Sequence, residues 1–331
     1  MATFKVMTWN VENLFSLGSS FSPKTEAEYI QKLNSLASVI LTLDPDVLAV
    51  QEIGDMQAFA ELLGLLEGRY PHTCLSAFPD PRGIRVGFLS KLAIAEHEDI
   101  INFPEGGFSK LITQDTEGNS TEVNRMGRGA LRILVKPQED ISIHIINAHF
   151  KSKLLTFTST NNNPRFAPKD ENERSLVAGL ALIKRTAEAV ALRVKANKLL
   201  ENNANQGLIV LGDLNDVPSA ATTQILHGSS GSEINTRGFN LLDEGDDTRL
   251  FNLAPLIDEK RRYSRIYQNN KELIDHIFVS QELLPGKPRK LPKVDSYIDS
   301  RDTLSSINDD PNLRQGKPGS DHAPIIAIFD L

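Results

Sequence analysis

Cysteine is almost absent from this chain: Cys74 is alone. One thiol forms no internal disulfide and no multi-cysteine metal site, and it points to a reducing compartment. No apolar run approaches the length of a membrane span, and Met1 to Lys5 lacks a basic region followed by a hydrophobic segment. The expectation is a cytoplasmic protein without a membrane span, export by another route being left open. Positive charge is also scarce, because 36 Lys and Arg face 43 Asp and Glu, for a formal net charge of -7. There is no global basic field to draw in nucleic acid, which argues against a non-catalytic nucleic-acid-binding module. A polyanionic substrate would need local cations or bound divalent metal. Internal repeats, heptads and low-complexity tracts are missing too.

What remains is 331 residues at 40% hydrophobic content, enough for a large core. The chain is organised around Leu208-Ile209-Val210-Leu211-Gly212-Asp213-Leu214-Asn215-Asp216, a buried strand that ends in a glycine and a polar cluster. Asp213 can ligate a hard cation or accept a proton, and Asn215 offers an amide to an anion. Alone, such a sequence reads as readily as a turn.

The same pattern recurs along the chain. Phe4 to Trp9 alternates as a strand and leads into Asn10-Val11-Glu12. Val47 to Val50 delivers Gln51-Glu52, and Ile141 to Ala148 carries Asn147 and His149 to its far end. His144 points to the opposite face and reads as structural. Leu273 to Ser280 contains Asp275-His276, where burial of an unpaired carboxylate would cost several kcal/mol, so Asp275 needs a partner or a polar cavity. Ser320-Asp321-His322 opens a closing strand, Ile325 to Phe329.

Between these strands, Thr25 and Glu28 predict a capping box for a helix to Leu43. A shorter helix should turn Met56, Phe59, Leu62, Leu63 and Leu66 inward. A long helix from about Glu173 to Leu200 should bury Leu176, Leu180, Ile183, Ala187, Val190 and Val194. Short strands are expected from about Thr73 to Val135, and two more with a turn at Asn269-Asn270. Lys151 to Asn172, centred on Asn161 to Pro164, and Pro285 to Gly319 read as long loops. Site candidates run from Asn10 to His322, so a single domain over 1–331 is expected.

Taken in order, Trp9-Asn10-Val11-Glu12, Gln51-Glu52, Asn147-Ala148-His149, Gly212-Asp213-Leu214-Asn215, Ile274-Asp275-His276 and Ser320-Asp321-His322 resemble the endonuclease/exonuclease/phosphatase superfamily. The Trp9 to Phe15 wording and the Tyr263 to Ser280 block look most like a bacterial, nuclease-like branch. The resemblance implies an α/β fold, a four-layer α/β sandwich of two face-to-face mixed sheets flanked by helices. It also implies a Mg²⁺-dependent phosphodiesterase, Mn²⁺ being an alternative, with DNA or another phosphodiester as substrate. A DNA endonuclease of low sequence specificity, acting as a monomer with no obligate protein partner, is the favoured expectation. A phosphatase or a phospholipid or inositol phosphate phosphodiesterase of the same fold, and a catalytically silent scaffold, are the alternatives.

By resemblance, Glu52 is the principal metal ligand, with Glu12 and Asp321 as further metal-side carboxylates. Asn10 bonds the scissile phosphate or orients the metal's surroundings, and Asn147 is a further substrate-side candidate. Arg128, by its place before the Ala130 to Val135 strand, is another, a solvated or ion-paired role being its equal alternative. Asp213 and Asn215 position the attacking water and the phosphate, and His149 donates to the phosphate. Asp275 orients His322. The base is either Asp213 or His322. His276 has no role in the motif and should pack locally. Lys151, Lys153 and Arg165, with Lys287, Arg289, Lys290 and Lys293, are candidates for a nucleic-acid groove, the second group reading more simply as a solvated loop.

Overall fold

A computed structural model of the chain describes residues 3–114, 120–157, 165–202, 206–228, 231, 233–240, 248–284, 291–297 and 304–331. In chain order its strands are β1 (Thr3–Leu14), β2 (Val47–Ile53), β3 (His72–Leu75), β4 (Arg85–Ser90), β5 (Ile94–Asn102), β6 (Leu111–Gln114), β7 (Ser120–Val123) and β8 (Arg125–Gln138). They continue with β9 (Ile141–His149), β10 (Gly207–Asp213), β11 (Leu250–Asn252), β12 (Arg265–Tyr267), β13 (Asn270–Glu272), β14 (Asp275–Ser280), β15 (Lys293–Ser296) and β16 (Ile325–Asp330). The α-helices are α1 (Glu26–Leu43), α2 (Met56–Gly64), α3 (Glu171–Asn202) and α4 (Ala221–His227).

Two six-stranded mixed sheets carry the fold, in the orders β15-β16-β1-β2-β4-β3 and β11-β14-β10-β9-β8-β5. Each has one parallel pair at its centre, β1 with β2 and β9 with β10, and each pair is joined by a long helix, α1 or α3. Parallel neighbours need such a crossover. Every other pairing within the two sheets is antiparallel.

Three apolar clusters define the layers. Phe4, Val6, Ala49, Phe88, Ile133, Ile145, Ile209 and Ile277 belong to a core between the inner faces of the sheets. Met7, Trp9, Leu48 and Val50 point the other way, onto Leu33, Leu36 and Ile40 of α1 and Phe59 and Leu62 of α2. Ile146, Leu208, Val210 and Phe278 meet Ala187, Leu192 and Ala196 of α3. Alternation along each strand divides its residues between these clusters, giving the expected four layers.

The capping box at Thr25 and Glu28 forms as read from sequence. Other expectations shift. Met56 is 61% exposed, because Asp55 caps α2 and leaves the first helical residue outside the packed face. On α3, Leu176 and Ile183 are exposed, and the inner face is carried by Ala181, Ala187, Leu192, Ala196 and Leu200 together with Arg185 and Glu188. Small alanines let the helix lie close to the sheet, and the two buried charges are held by hydrogen bonds described below. The loop expected from Pro285 to Gly319 contains β15, which adds an edge strand to β16. Asn161 to Pro164 and Lys287, Arg289 and Lys290 lie outside the described residues. No helix among the described residues is long and apolar enough to cross a membrane.

Candidate active site

The carboxyl ends of the two parallel pairs open on the same edge of the sandwich. Asn10 lies late in β1, Glu52 late in β2, His149 ends β9 and Asp213 ends β10. Antiparallel neighbours add the rest. Asp275 begins β14 directly opposite Asp213, and His322 precedes β16 beside β1. Ligands of α/β sheets gather at the carboxyl ends of parallel strands, and here two sheets present such ends together.

Asp213 is the hub. Its Oδ2 accepts from Asn10 Nδ2 at 3.0 Å, lies 3.4 Å from His149 Nε2 and 3.9 Å from His322 Nε2. Its Oδ1 accepts from the backbone of Asn215 at 2.9 Å. Asn10 also donates to Glu52 Oε1 at 3.2 Å, and Glu52 Oε2 accepts from the Asn13 backbone at 2.8 Å. His322 Nδ1 meets Asp275 Oδ2 at 2.7 Å, while Ser264 receives the backbone N–H groups of Ile274 and Asp275. Trp9 Nε1 donates to His322 O at 2.8 Å, and Ser320 Oγ donates to Asn10 O at 2.6 Å and accepts from His322 N, tying the last motif to the first strand.

The backbone is bent to make this ring. Glu12, Asn13, Glu52 and Asn215 all have positive φ, between 46° and 67°, a conformation that non-glycine residues adopt at some cost. Gly212 has φ +138°, and a Cβ there would lie 1.9 Å from Ala148 O. Glycine alone lets β10 pass β9 at the point where Asp213 and His149 come into register.

Burial sets the charges. Asp213 is pushed up to about 6, first by burial and then by Asp275, against the opposing pull of His322 and Asn10. For His322 burial favours the neutral ring, but the carboxylates of Asp275, Asp321 and Asp213 outweigh it and raise the imidazolium to about 10. His149 goes the other way: burial, then Arg128 and Arg82, hold it well below its ordinary value. At neutral pH the site therefore pairs a neutral His149 with a cationic His322 on either side of Asp213.

Two sequence-derived candidates, Asn147 and Glu12, sit differently from expectation, and Arg128 takes the ion-paired alternative. Asn147 is fully buried and donates to Val50 O at 3.0 Å and Gly87 O at 2.8 Å, while its oxygen accepts from Gln51 Nε2 at 2.7 Å. Its amide is used up in clamping the two sheets together below the cleft, and no donor is left for substrate. Glu12 is held by Arg314 Nε at 3.0 Å and Nη2 at 2.7 Å and accepts from the Asp321 backbone, so a nearby guanidinium fills the place expected for a cation. Arg128 donates to Asp80 at 3.3 Å and to Phe150 O at 3.0 Å. Its charge acts on His149 from an anchored position.

Further groups were hidden from sequence reasoning. Buried Lys32 donates to Gly319 O, and Glu188 accepts from the backbones of Gly127 and Lys151. Arg185 binds Asp216 and Lys151 O, which fixes the turn after Asn215. His276 contacts Asp216 O at 2.8 Å, the local role expected of it. Lys153 pairs with Asp216 and Glu272, and Arg165 with Glu173.

Oxygen donors dominate the open side of the ring, as a hard divalent cation requires. Asp213, Asp275 and His322 offer donor atoms within 4.8 Å of one another. An ion on that trio would compete with the 2.7 Å His322 to Asp275 hydrogen bond. Glu52, whose side chain is 15% exposed against 2% for Asp213, can take an ion without disturbing that bond.

Two facing mixed sheets with helices outside, and a ring of Asn, Glu, Asp and His at one edge, define the DNase-like class of α/β sandwiches. Among solved structures the chain is similar to ANGEL2, a 2′,3′-cyclic phosphatase (15% identity, TM-score 0.57, covering 99% of this chain and 95% of that one). It is also similar to TDP2 from Caenorhabditis elegans (15%, 0.56, 99% and 75%) and to an endonuclease/exonuclease/phosphatase family protein from Bacteroides thetaiotaomicron (16%, 0.56, 100% and 99%). At such identities the likeness establishes the fold. Among curated proteins no sequence matches. The chain belongs to the endonuclease/exonuclease/phosphatase family, whose profile matches residues 7–322, and with it to the hydrolases of phosphodiester and phosphate ester bonds.

Proposed function

We propose that this chain is a divalent-metal-dependent phosphodiesterase that cuts DNA endonucleolytically with little sequence preference. The observation that carries the reading is the position of Asp213 Oδ2 among Asn10 Nδ2, His149 Nε2 and His322 Nε2. One carboxylate surrounded by three phosphate-seeking donors suits attack of water on an anionic ester. Glu52 holds the metal, Mg²⁺ by the hardness of its donors or Mn²⁺ on the same set, and Asp321 adds negative charge on that side. When bound, the ion withdraws charge from the phosphate oxygens as a Lewis acid.

The protein's own groups do the rest. Asp213, raised to about 6 yet ionised at neutral pH, takes the proton of the attacking water. His322, kept cationic by Asp275, faces the phosphate as a donor from Nε2, which supports Asp213 as the base. Burial, Arg128 and Arg82 favour a neutral His149, whose Nε2 is turned toward Asp213, and Asn10 donates beside it. These donors stabilise the charge that builds on the equatorial oxygens. Asn215 is braced by its bond to Phe150 O at 3.1 Å and keeps Asp213 Oδ1 occupied through its backbone.

A substrate panel tests the reading. Supercoiled plasmid, 4-nitrophenyl phosphate, inositol phosphates and sphingomyelin vesicles are offered with Mg²⁺. Nicked plasmid with no release from the others supports the nuclease; phosphate release without nicking moves the chemistry to a monoesterase.

A further inference from the structure

A second hollow lies beside the ring, between α4 and the turn Ala254–Leu256, with a volume of about 170 Å³. Its walls are of two kinds. Pro218, Ala254 and Pro255 give it apolar surface, and Thr223, His227 and Glu233 give it a polar edge. Thr223 and His227 stand four residues apart on α4 and so share one face of the helix. They are only 1% and 2% exposed. Thr223 Oγ1 and His227 Nδ1 both lack a hydrogen-bond partner among the described residues. A buried polar atom left unpaired costs about 1–3 kcal/mol, and two such atoms belong to residues that line this one hollow. Burial holds His227 below its ordinary pKa, opposed by Glu233, and the neutral ring has one donor and one acceptor nitrogen.

Size narrows the choice of ligand. A cavity of about 150 Å³ takes a benzene ring. The hollow therefore fits one six-membered ring with small substituents, and a fused two-ring system would project from its open side. Apolar walls beside a polar edge that also takes in Gln224 and Arg262 suit a heterocycle rather than a hydrocarbon.

The position ties the hollow to the reaction. Asn252 in its wall reaches His276 Nδ1 at 3.2 Å, and His276 Nε2 reaches Asp216 O at 2.8 Å. Thr222, next to Thr223, donates to Asp216 Oδ2 at 2.7 Å. Asp216 follows Asn215, and His276 follows Asp275. One imidazole ring and one aspartate thus stand between the hollow and the ring around Asp213.

We infer that this hollow receives the pyrimidine base of a nucleotide near the phosphate to be cleaved, with the prolines against its faces and Thr223, His227 and Glu233 along its edge. The inference rests on the nucleic-acid reading of the Asp213 site and narrows its low sequence preference to a pyrimidine at one position beside the cut. An unpaired pyrimidine enters more easily than a paired one, so single-stranded or frayed DNA is bound best. With a net charge of -7 the chain has no general basic field, and contacts to a base supply hold that charge alone does not.

The test is binding of nucleosides, which carry no phosphate, to the metal-free protein by NMR titration. Thymidine and cytidine are expected to shift resonances of α4, with adenosine and guanosine weaker by about tenfold or more. Ala254→Leu, which fills the hollow, and Thr223→Val, which removes one edge group, should each weaken thymidine binding, with folding checked by circular dichroism. Equal binding of purines and pyrimidines, no binding, or binding that survives both substitutions overturns the inference. Plasmid cleavage is scored separately. Loss of nucleoside binding with the plasmid still cut removes only the pocket, whereas an uncut plasmid removes the nuclease reading.

Discussion

His322 Nδ1 lies 2.7 Å from Asp275 Oδ2, and the carboxylate that holds it is fully buried at the start of β14. The partners are 47 residues apart in sequence, Asp275 in β14 of one sheet and His322 in the bend that leads into β16 of the other. Asp275 thereby fixes the ring so that Nε2 faces Asp213, and it keeps the ring charged. Asp275→Asn should lower the turnover of bis(4-nitrophenyl) phosphate by about a hundredfold or more, with KM little changed. The loss should be accompanied by a downward shift of the His322 titration followed by NMR. A variant of undiminished turnover would mean that the pair is a fold contact only.

The two glutamates at the strand ends should separate cleanly. Glu12 is engaged by the guanidinium of Arg314, whereas Glu52 accepts from the neutral Asn10 amide and the Asn13 backbone N–H. Glu12→Gln is therefore expected to retain its metal requirement, and Glu52→Gln to need a far higher metal concentration for half-maximal activity. Arg314→Ala, by stranding the Glu12 carboxylate, should cost about 3 kcal/mol in denaturant unfolding. Metal titration of the two Gln variants decides the point, and equal shifts would return Glu12 to the metal's side.

Asp213 sets a pH dependence of stability whose sign can be worked out. Its folded pKa, about 6, lies above the ordinary 3.8, so the fold binds its proton more tightly than the unfolded chain does. This contribution is fully present below 3.8 and is lost as pH rises through about 6. In EDTA, Asp213→Asn should gain stability relative to the parent chain across that window and keep a constant difference above it. Paired thermal melts read the effect, and a difference that shrinks with rising pH would show the sign to be wrong.

Asn147 should matter for stability rather than for substrate. Asn147→Ala leaves Val50 O, Gly87 O and Gln51 Nε2 without their partner between the sheets. A loss of about 2–3 kcal/mol is expected in urea unfolding, with the KM of the folded fraction unchanged. A raised KM at intact stability would restore it to the substrate.

Much of this was legible in the sequence, and the exceptions have physical causes. Alternating strands and the Thr25 to Glu28 box announce themselves locally, because a period of two and a cap each need only a few neighbouring residues. So do the polar groups at strand ends, which is why Asn10, Glu52, His149, Asp213, Asp275 and His322 converge as the family resemblance implied. What sequence hides is the partner. Arg314 lies 302 residues from Glu12, and nothing near either one signals the pair. Asn147 and His149 stand two residues apart on the same face of β9, yet one lies below the cleft, clamped between the sheets, and the other ends the strand in the ring. The inner face of α3 escaped because close packing there selects alanine, while an apolar scale favours Leu176 and Ile183, which lie outside. β15 is four residues long at a sheet edge, too short for alternation to mark it.

The most direct measurement is nicking of supercoiled plasmid by the intact protein and by Asp213→Ala, each with Mg²⁺ and with EDTA. Nicked circles are expected only for the intact protein with metal, and none for Asp213→Ala under either condition. Nicking that persists in EDTA, or in Asp213→Ala with Mg²⁺, would contradict that expectation.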